Sequence, residues 1–191
     1  MTALSAAVSA TSPSALAPPS HAAPPHAEGV SLLRLSAGGE VLAVPIDEVR
    51  EILQLATLTP LPRTPAFVRG VMNLRGAVVP VIDLAARLGL AATVVGRRSC
   101  IVVVDARQRV GHDPAQQGAP VPMGLLVDAV FEVFDRQAAE IEPVPTLGTR
   151  VAPACLSGMT RARGDVIGVL ALARVLSAAE LADAIAAHQQ H

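Results

Sequence analysis

Two stretches of this chain return later in it, in step. AVPIDEVREIL at 43–53 lines up with GLLVDAVFEVF at 124–134, setting Asp47, Val49 and Glu51 against Asp128, Val130 and Glu132 at an offset of 81. GVMNLRGAVVPVIDLAARL at 70–88 lines up with GMTRARGDVIGVLALARVL at 158–176 at an offset of 88. Gly70 then falls on Gly158, Arg75 on Arg163, Gly76 on Gly164 and Leu88 on Leu176. The change of offset is one loop insertion. Apolar pattern alone would recur by chance in any β-rich chain, but glycine, Arg-Gly and aspartate would rarely recur in step with it. The repeat implies two related small units within one fold.

The runs between these landmarks are of strand length. Val30–Leu35, Glu40–Val44, Val71–Leu74, Ala77–Ile82, Cys100–Val104, Pro122–Val127 and Val166–Leu170 are rich in Val, Ile and Leu and bounded by Gly, Pro or charge. Such spacing suggests small barrels or a sandwich. The chain is 51% hydrophobic but 2% aromatic, so the core must come from Val, Leu, Ile and Ala. Helical signals are few. Pro45–Leu53 carries apolar residues at 46, 49, 52 and 53, one helical face, with Asp47, Glu48 and Glu51 turned away from it. Asp83 reads as the cap of a short helix, LAARL, ended by Gly89. Ser177 with Glu180 forms a capping box, and Leu176 with Leu181 the matching staple, opening a C-terminal helix over 177–188. Residues 1–28, rich in Ala, Pro and Ser, read as a disordered tail, and the polar stretch between Asp105 and Met123 as a long hairpin loop.

Most chemistry is excluded. All 15 basic residues are arginine, which removes a phosphate-loop lysine, a Schiff-base lysine and a Ser-Lys nucleophile. HExxH, CxxC, GxSxG and GxGxxG are absent. His21, His26, His112, His188 and His191 lie in the tail, the long loop and the C-terminus, away from any nucleophile, and read as solvated. Asp83 fits a helix cap better than a catalytic acid, since its counterpart is Ala171. Neither a cofactor nor a metal site is expected. A net charge of −1 and three phenylalanines argue against nucleic acid. Cys100 and Cys155 fit buried packing in a reducing compartment, and nothing in the sequence argues for a disulfide between them. No apolar run reaches about 18 residues, and the first basic side chain is Arg34, so neither a membrane span nor a secretory signal is expected. A cytoplasmic protein is the expectation.

The Arg-Gly pair occurs at the same place in both units, so a turn role follows from the repeat. Whether Arg75 also serves a partner stays open on pattern alone. Arg63, Arg69 and Arg75 crowd one region near Glu48 and Glu51. Ordinary solvated charge accounts for this, and so does a protein-binding surface, where arginine is enriched.

LPRTPAFVRGVMNLRGAVVPVIDLAARLGL at 61–90 closely resembles the signature of the CheW family of bacterial chemotaxis coupling proteins. The resemblance runs from Val30 to the C-terminal helix and includes VPIDEVREI, GLLVDAV and LSGMTRARGDVIGVLALARVLS. It implies a mainly β fold: two intertwined five-stranded SH3-like barrels, with units of about 29–96 and 97–176 open to strand exchange, short helices, and a C-terminal helix. It implies a non-enzymatic adaptor without cofactors, linking the regulatory domain of a CheA-type histidine kinase to the cytoplasmic tip of methyl-accepting chemoreceptors. Recruitment to membrane-associated receptor arrays follows, without insertion into the membrane. Matched residue by residue, the receptor-facing positions are Val49, Glu51, Asn73, Arg75 and Gly76. The kinase-facing surface is unassigned. Departures are Ala85, where the family often has a basic residue, the longer 105–122 loop, and the tail. They leave two pathways open, flagellar chemotaxis and a pilus-motility or biofilm chemosensory system. A reading of a different class is a small apolar-ligand barrel.

Overall fold

The computed structural model describes residues 29–106, 121–145 and 148–176. The expectations for the 1–28 tail, the interior of the long loop and the 177–188 helix fall outside the described residues.

Ten strands form two five-stranded sheets among the described residues. They are β1 (Gly29–Ala37), β2 (Glu40–Pro45), β3 (Val49–Gln54), β4 (Val68–Leu74), β5 (Ala77–Asp83), β6 (Cys100–Ala106), β7 (Val121–Val127), β8 (Ala129–Gln137), β9 (Leu156–Ala162) and β10 (Asp165–Leu170). One sheet runs β8-β1-β2-β10-β9 and the other β3-β6-β7-β5-β4. Replacing each of β1–β5 by its counterpart among β6–β10, and the reverse, turns one order into the other. The repeat is therefore structural. The halves are also interlaced: β3 pairs with β6 and β8 with β1, while two parallel pairs, β2 with β10 and β5 with β7, join them again. The mainly β, intertwined SH3-like architecture that the resemblance implies is the one observed.

Three apolar clusters result. Met72, Val79, Val81, Ile101, Val103 and Leu126 fill the barrel of the β3-β6-β7-β5-β4 sheet, called here the first barrel. Leu32, Ala43, Ala162, Ile167 and Val169 fill the second. The largest cluster draws on both sheets, joining Leu33, Leu35 and Val44 to Ile82, Val102 and Val104. Interleaved strands thus bury both faces of each sheet, so most strands read as continuous apolar runs rather than alternation.

Two helices of one turn occupy equivalent places, α1 (Leu84–Arg87) and α2 (Leu172–Val175). Arg87 Nε donates to the Val175 carbonyl at 2.9 Å, joining them. Asp83 caps α1 as expected, accepting from Ala86 N at 3.1 Å. It is fully buried and its other oxygen accepts from Thr93 N at 3.0 Å, so the same carboxylate also anchors the loop leaving α1.

Pro45–Leu53 is not the short helix its spacing suggests. Ile46–Glu48 form one turn of 3-10 helix, and Val49–Gln54 continue as β3. The apolar spacing fits a helical period, but β6 offers these residues a ladder, and pairing overrides a weak local preference. The register slips at Arg50, between Val49 and Glu51, which disguises the strand's alternation. The segment 129–137, absent from the strand runs, is β8, with a similar slip opposite it at Arg34.

Candidate docking site at the Arg-Gly turns

Arg75-Gly76 and Arg163-Gly164 close two-residue hairpins, β4–β5 and β9–β10. The φ angles are 53° and 89° in the first and 52° and 89° in the second. Two successive positive φ values define the turn whose twist matches that of the flanking strands. Glycine takes its place there without strain, whereas arginine does not. Asn, Asp or Gly would occupy the first position at lower cost. The same unfavourable choice is made twice.

The reason lies across the sheet. β3 and β4 are opposite edges of the first sheet and share no ladder. Arg75 Nη2 donates to Glu51 Oε2 at 2.9 Å, joining the β4–β5 turn to β3 across this seam. In the second barrel Arg163 Nε donates to Glu132 Oε1 at 2.6 Å and its Nη2 to Glu132 Oε2, joining the β9–β10 turn to β8. The left-handed backbone aims each arginine at the glutamate that closes its barrel. Hydrogen bonding and charge from Arg163, with Arg34 adding charge, hold the Glu132 carboxyl below its ordinary range, and Glu132 raises Arg163 in return.

The first seam has a second device. Thr59, downstream of β3, bridges to Val71 of β4 through two backbone hydrogen bonds of 2.9 Å. A Cβ on Gly70 would lie 2.3 Å from the Thr59 carbonyl oxygen, so only glycine admits this approach. Gly158 is close-packed at the matching bridge of Glu142 to Met159 in the second barrel, where a Cβ would lie 2.4 Å from Ile141 Cγ2 and 3.0 Å from the Glu142 carbonyl oxygen. This explains the recurrence of Gly70 and Gly158.

The five expected docking residues divide by role. Glu51 and Arg75 form the ion pair, and Gly76 completes the turn. Asn73 is an exposed residue of β4 whose Oδ1 accepts from Gly76 N at 2.8 Å, bracing the turn. Val49 lies elsewhere on β3: it faces Val104 and packs on the shared cluster, while Glu51 faces Val103 of the first barrel. The structure thus gathers Glu51, Asn73, Arg75 and Gly76 around one turn and leaves Val49 on the other face.

Two neighbours were missed. Val78 is 71% exposed and pairs with Asn73 beside the turn, and Ile52 of β3 is 44% exposed. The two-residue turn itself sets Val78 opposite Asn73, so the turn length could have revealed it. The side chain of Arg75 is 79% exposed with one hydrogen bond, which leaves most of its donors facing solvent. The arrangement is a projecting, largely exposed cation beside an apolar surface. Among the described residues, no group of three His, Cys, Asp or Glu could hold a metal, and no helix is long and apolar enough to cross a membrane.

Comparison with known proteins gives a consistent picture. The model of the CheW-like domain matches residues 31–180. The chain is 34% identical over 152 residues to "Chemotaxis protein CheW" of Rhizobium meliloti, covering 80% of this chain and 90% of the relative. It is also 34% identical over 140 residues to "Protein FrzA" of Myxococcus xanthus, covering 72% and 79%. Among solved structures, the scaffolding protein TtCheW from Thermoanaerobacter tengcongensis superimposes with a TM-score of 0.67 at 29% identity, covering 82% of this chain and 92% of that one. The duplicated hairpins, the interlaced barrels and the matched span agree, and this chain belongs to the CheW-like domain family.

Proposed function

We propose that this chain is a non-catalytic chemotaxis adaptor that couples the cytoplasmic tip of chemoreceptors to the regulatory domain of a CheA-type histidine kinase. The receptor docks at the turn formed by Asn73, Arg75 and Gly76 with Glu51 of β3, while Val49 supports β3 from the shared cluster on its other face. The adaptor works in the cytoplasm and is recruited to membrane-associated receptor arrays. The observation that carries the reading is Arg75 itself: a strained left-handed arginine, mostly exposed, fixed at its base by Glu51. Backbone strain of this kind persists where the surroundings hold it, and it concentrates at functional sites. Arginine suits such a site because its planar fork directs several hydrogen bonds at once.

The test is titration of the purified chain with a receptor-tip fragment and, separately, with the kinase regulatory domain. Both should give saturable binding. Absence of binding to both overturns the reading. A pilus-motility or biofilm chemosensory pathway is a second setting for the same adaptor chemistry, and the similarity to FrzA, a relative not named for chemotaxis, is compatible with it. Deleting the gene and scoring swimming against surface motility separates the two.

A further inference from the structure

The two seams are closed unequally. Between β3 and the β4–β5 hairpin, side chains of the described residues supply one hydrogen bond, Arg75 to Glu51. Between β8 and the β9–β10 hairpin they supply four. Two run from Arg163 to Glu132. The other two run from Arg136 Nε and Nη2 to the Arg161 carbonyl, at 3.0 and 2.6 Å.

Arg136 is further held over the Phe134 ring, 5.0 Å from its centroid. Arg34 of β1 adds ion pairs to Glu132 at 3.6 Å and to Asp165 of the turn at 3.3 Å. The first barrel has none of these extra groups. At the positions of Arg136, Arg34 and Asp165 it carries Leu55, Val103 and Ala77. The backbone bridges, Thr59 with Val71 and Glu142 with Met159, are alike in the two barrels and do not offset the difference.

We infer that the second barrel is a locked frame and the first a locally openable one. Beyond the backbone bridge that both barrels share, a strand edge held by one side-chain hydrogen bond between these elements opens more cheaply than one held by four, two of them to a backbone carbonyl that water would otherwise have to satisfy. The lock has a second consequence. Arg163 uses two of its donors in a fork on Glu132, which Arg34 shares, so the second turn presents fewer free donors than the first. The duplicated fold thereby acquires a direction: one adaptable turn, mounted against one fixed barrel.

The test is native-state hydrogen exchange of the full chain, resolved by strand. Amides pairing β8 with β1 and β9 with β10 should exchange about tenfold or more slowly than those pairing β3 with β6 and β4 with β5. Arg136→Gln should speed exchange in β8 and β9 and leave β3 and β4 unchanged. Glu132→Gln, which weakens the lock through different partners, should do the same. Equal protection of the two barrels in the unmodified chain overturns the inference. So does unchanged exchange of β8 and β9 in both variants.

Discussion

Arg75 reaches Glu51 at 2.9 Å across two strands that share no ladder. One contact therefore closes a barrel and holds a cation at the tip of a hairpin. The two roles make different demands on the residue, and substitutions can separate them.

Arg75→Asn should show this most clearly. Asparagine tolerates the left-handed conformation, so backbone strain falls, while the exposed ion pair it forfeits is worth at most about 1 kcal/mol. The thermal midpoint should hold or rise slightly. Binding to a receptor-tip fragment should weaken about thirtyfold, roughly 2 kcal/mol, as for loss of an interface anchor. Arg163→Asn should weaken that binding much less. Calorimetric titration of both variants checks this, and unchanged binding by Arg75→Asn removes the docking role.

Gly70→Ala should destabilise the fold by about 2–4 kcal/mol in urea titration, because the new Cβ meets the Thr59 backbone and φ is +136°. Gly39→Ala, at φ +78° with open space around it, isolates the dihedral cost and should lose only about 1 kcal/mol. Similar losses at both sites would mean that the Thr59 bridge gives way without cost.

Acid should weaken the second barrel in particular. The Glu132 carboxyl is held below its ordinary 4.5, so the stabilisation it contributes is fully present above that value. It is lost as pH falls from there through the lowered value in the folded state. Glu132→Gln should therefore flatten the acid limb of the urea midpoint against pH while lowering the midpoint near neutrality. An acid limb of unchanged slope would assign the pH dependence to other carboxylates.

Asp83→Ala should cost about 2–4 kcal/mol by chemical denaturation, since it leaves the buried Thr93 N and the part-buried Ala86 N without their acceptor. A loss below about 1 kcal/mol would show that water takes its place.

What could be read directly from the sequence was local or repeated. Arg75-Gly76 and Arg163-Gly164 between apolar runs specify two hairpins, because turn chemistry is decided by the residues of the turn. Asp83 before LAARL specifies a cap for the same reason. The offsets of 81 and 88 placed Glu51 against Glu132 and Arg75 against Arg163, and these four prove to be the two seam pairs. What only the tertiary structure decided was non-local. Val49–Gln54 satisfies a helical period and became a strand because β6, some 50 residues on, offered it a ladder. The parallel pairing of β2 with β10 joins segments more than a hundred residues apart, and no residue in either announces the other. The Arg136 lock depends on a backbone carbonyl, a group every residue carries, so sequence could not point to it; it came into being when barrel closure brought β8 and β9 together.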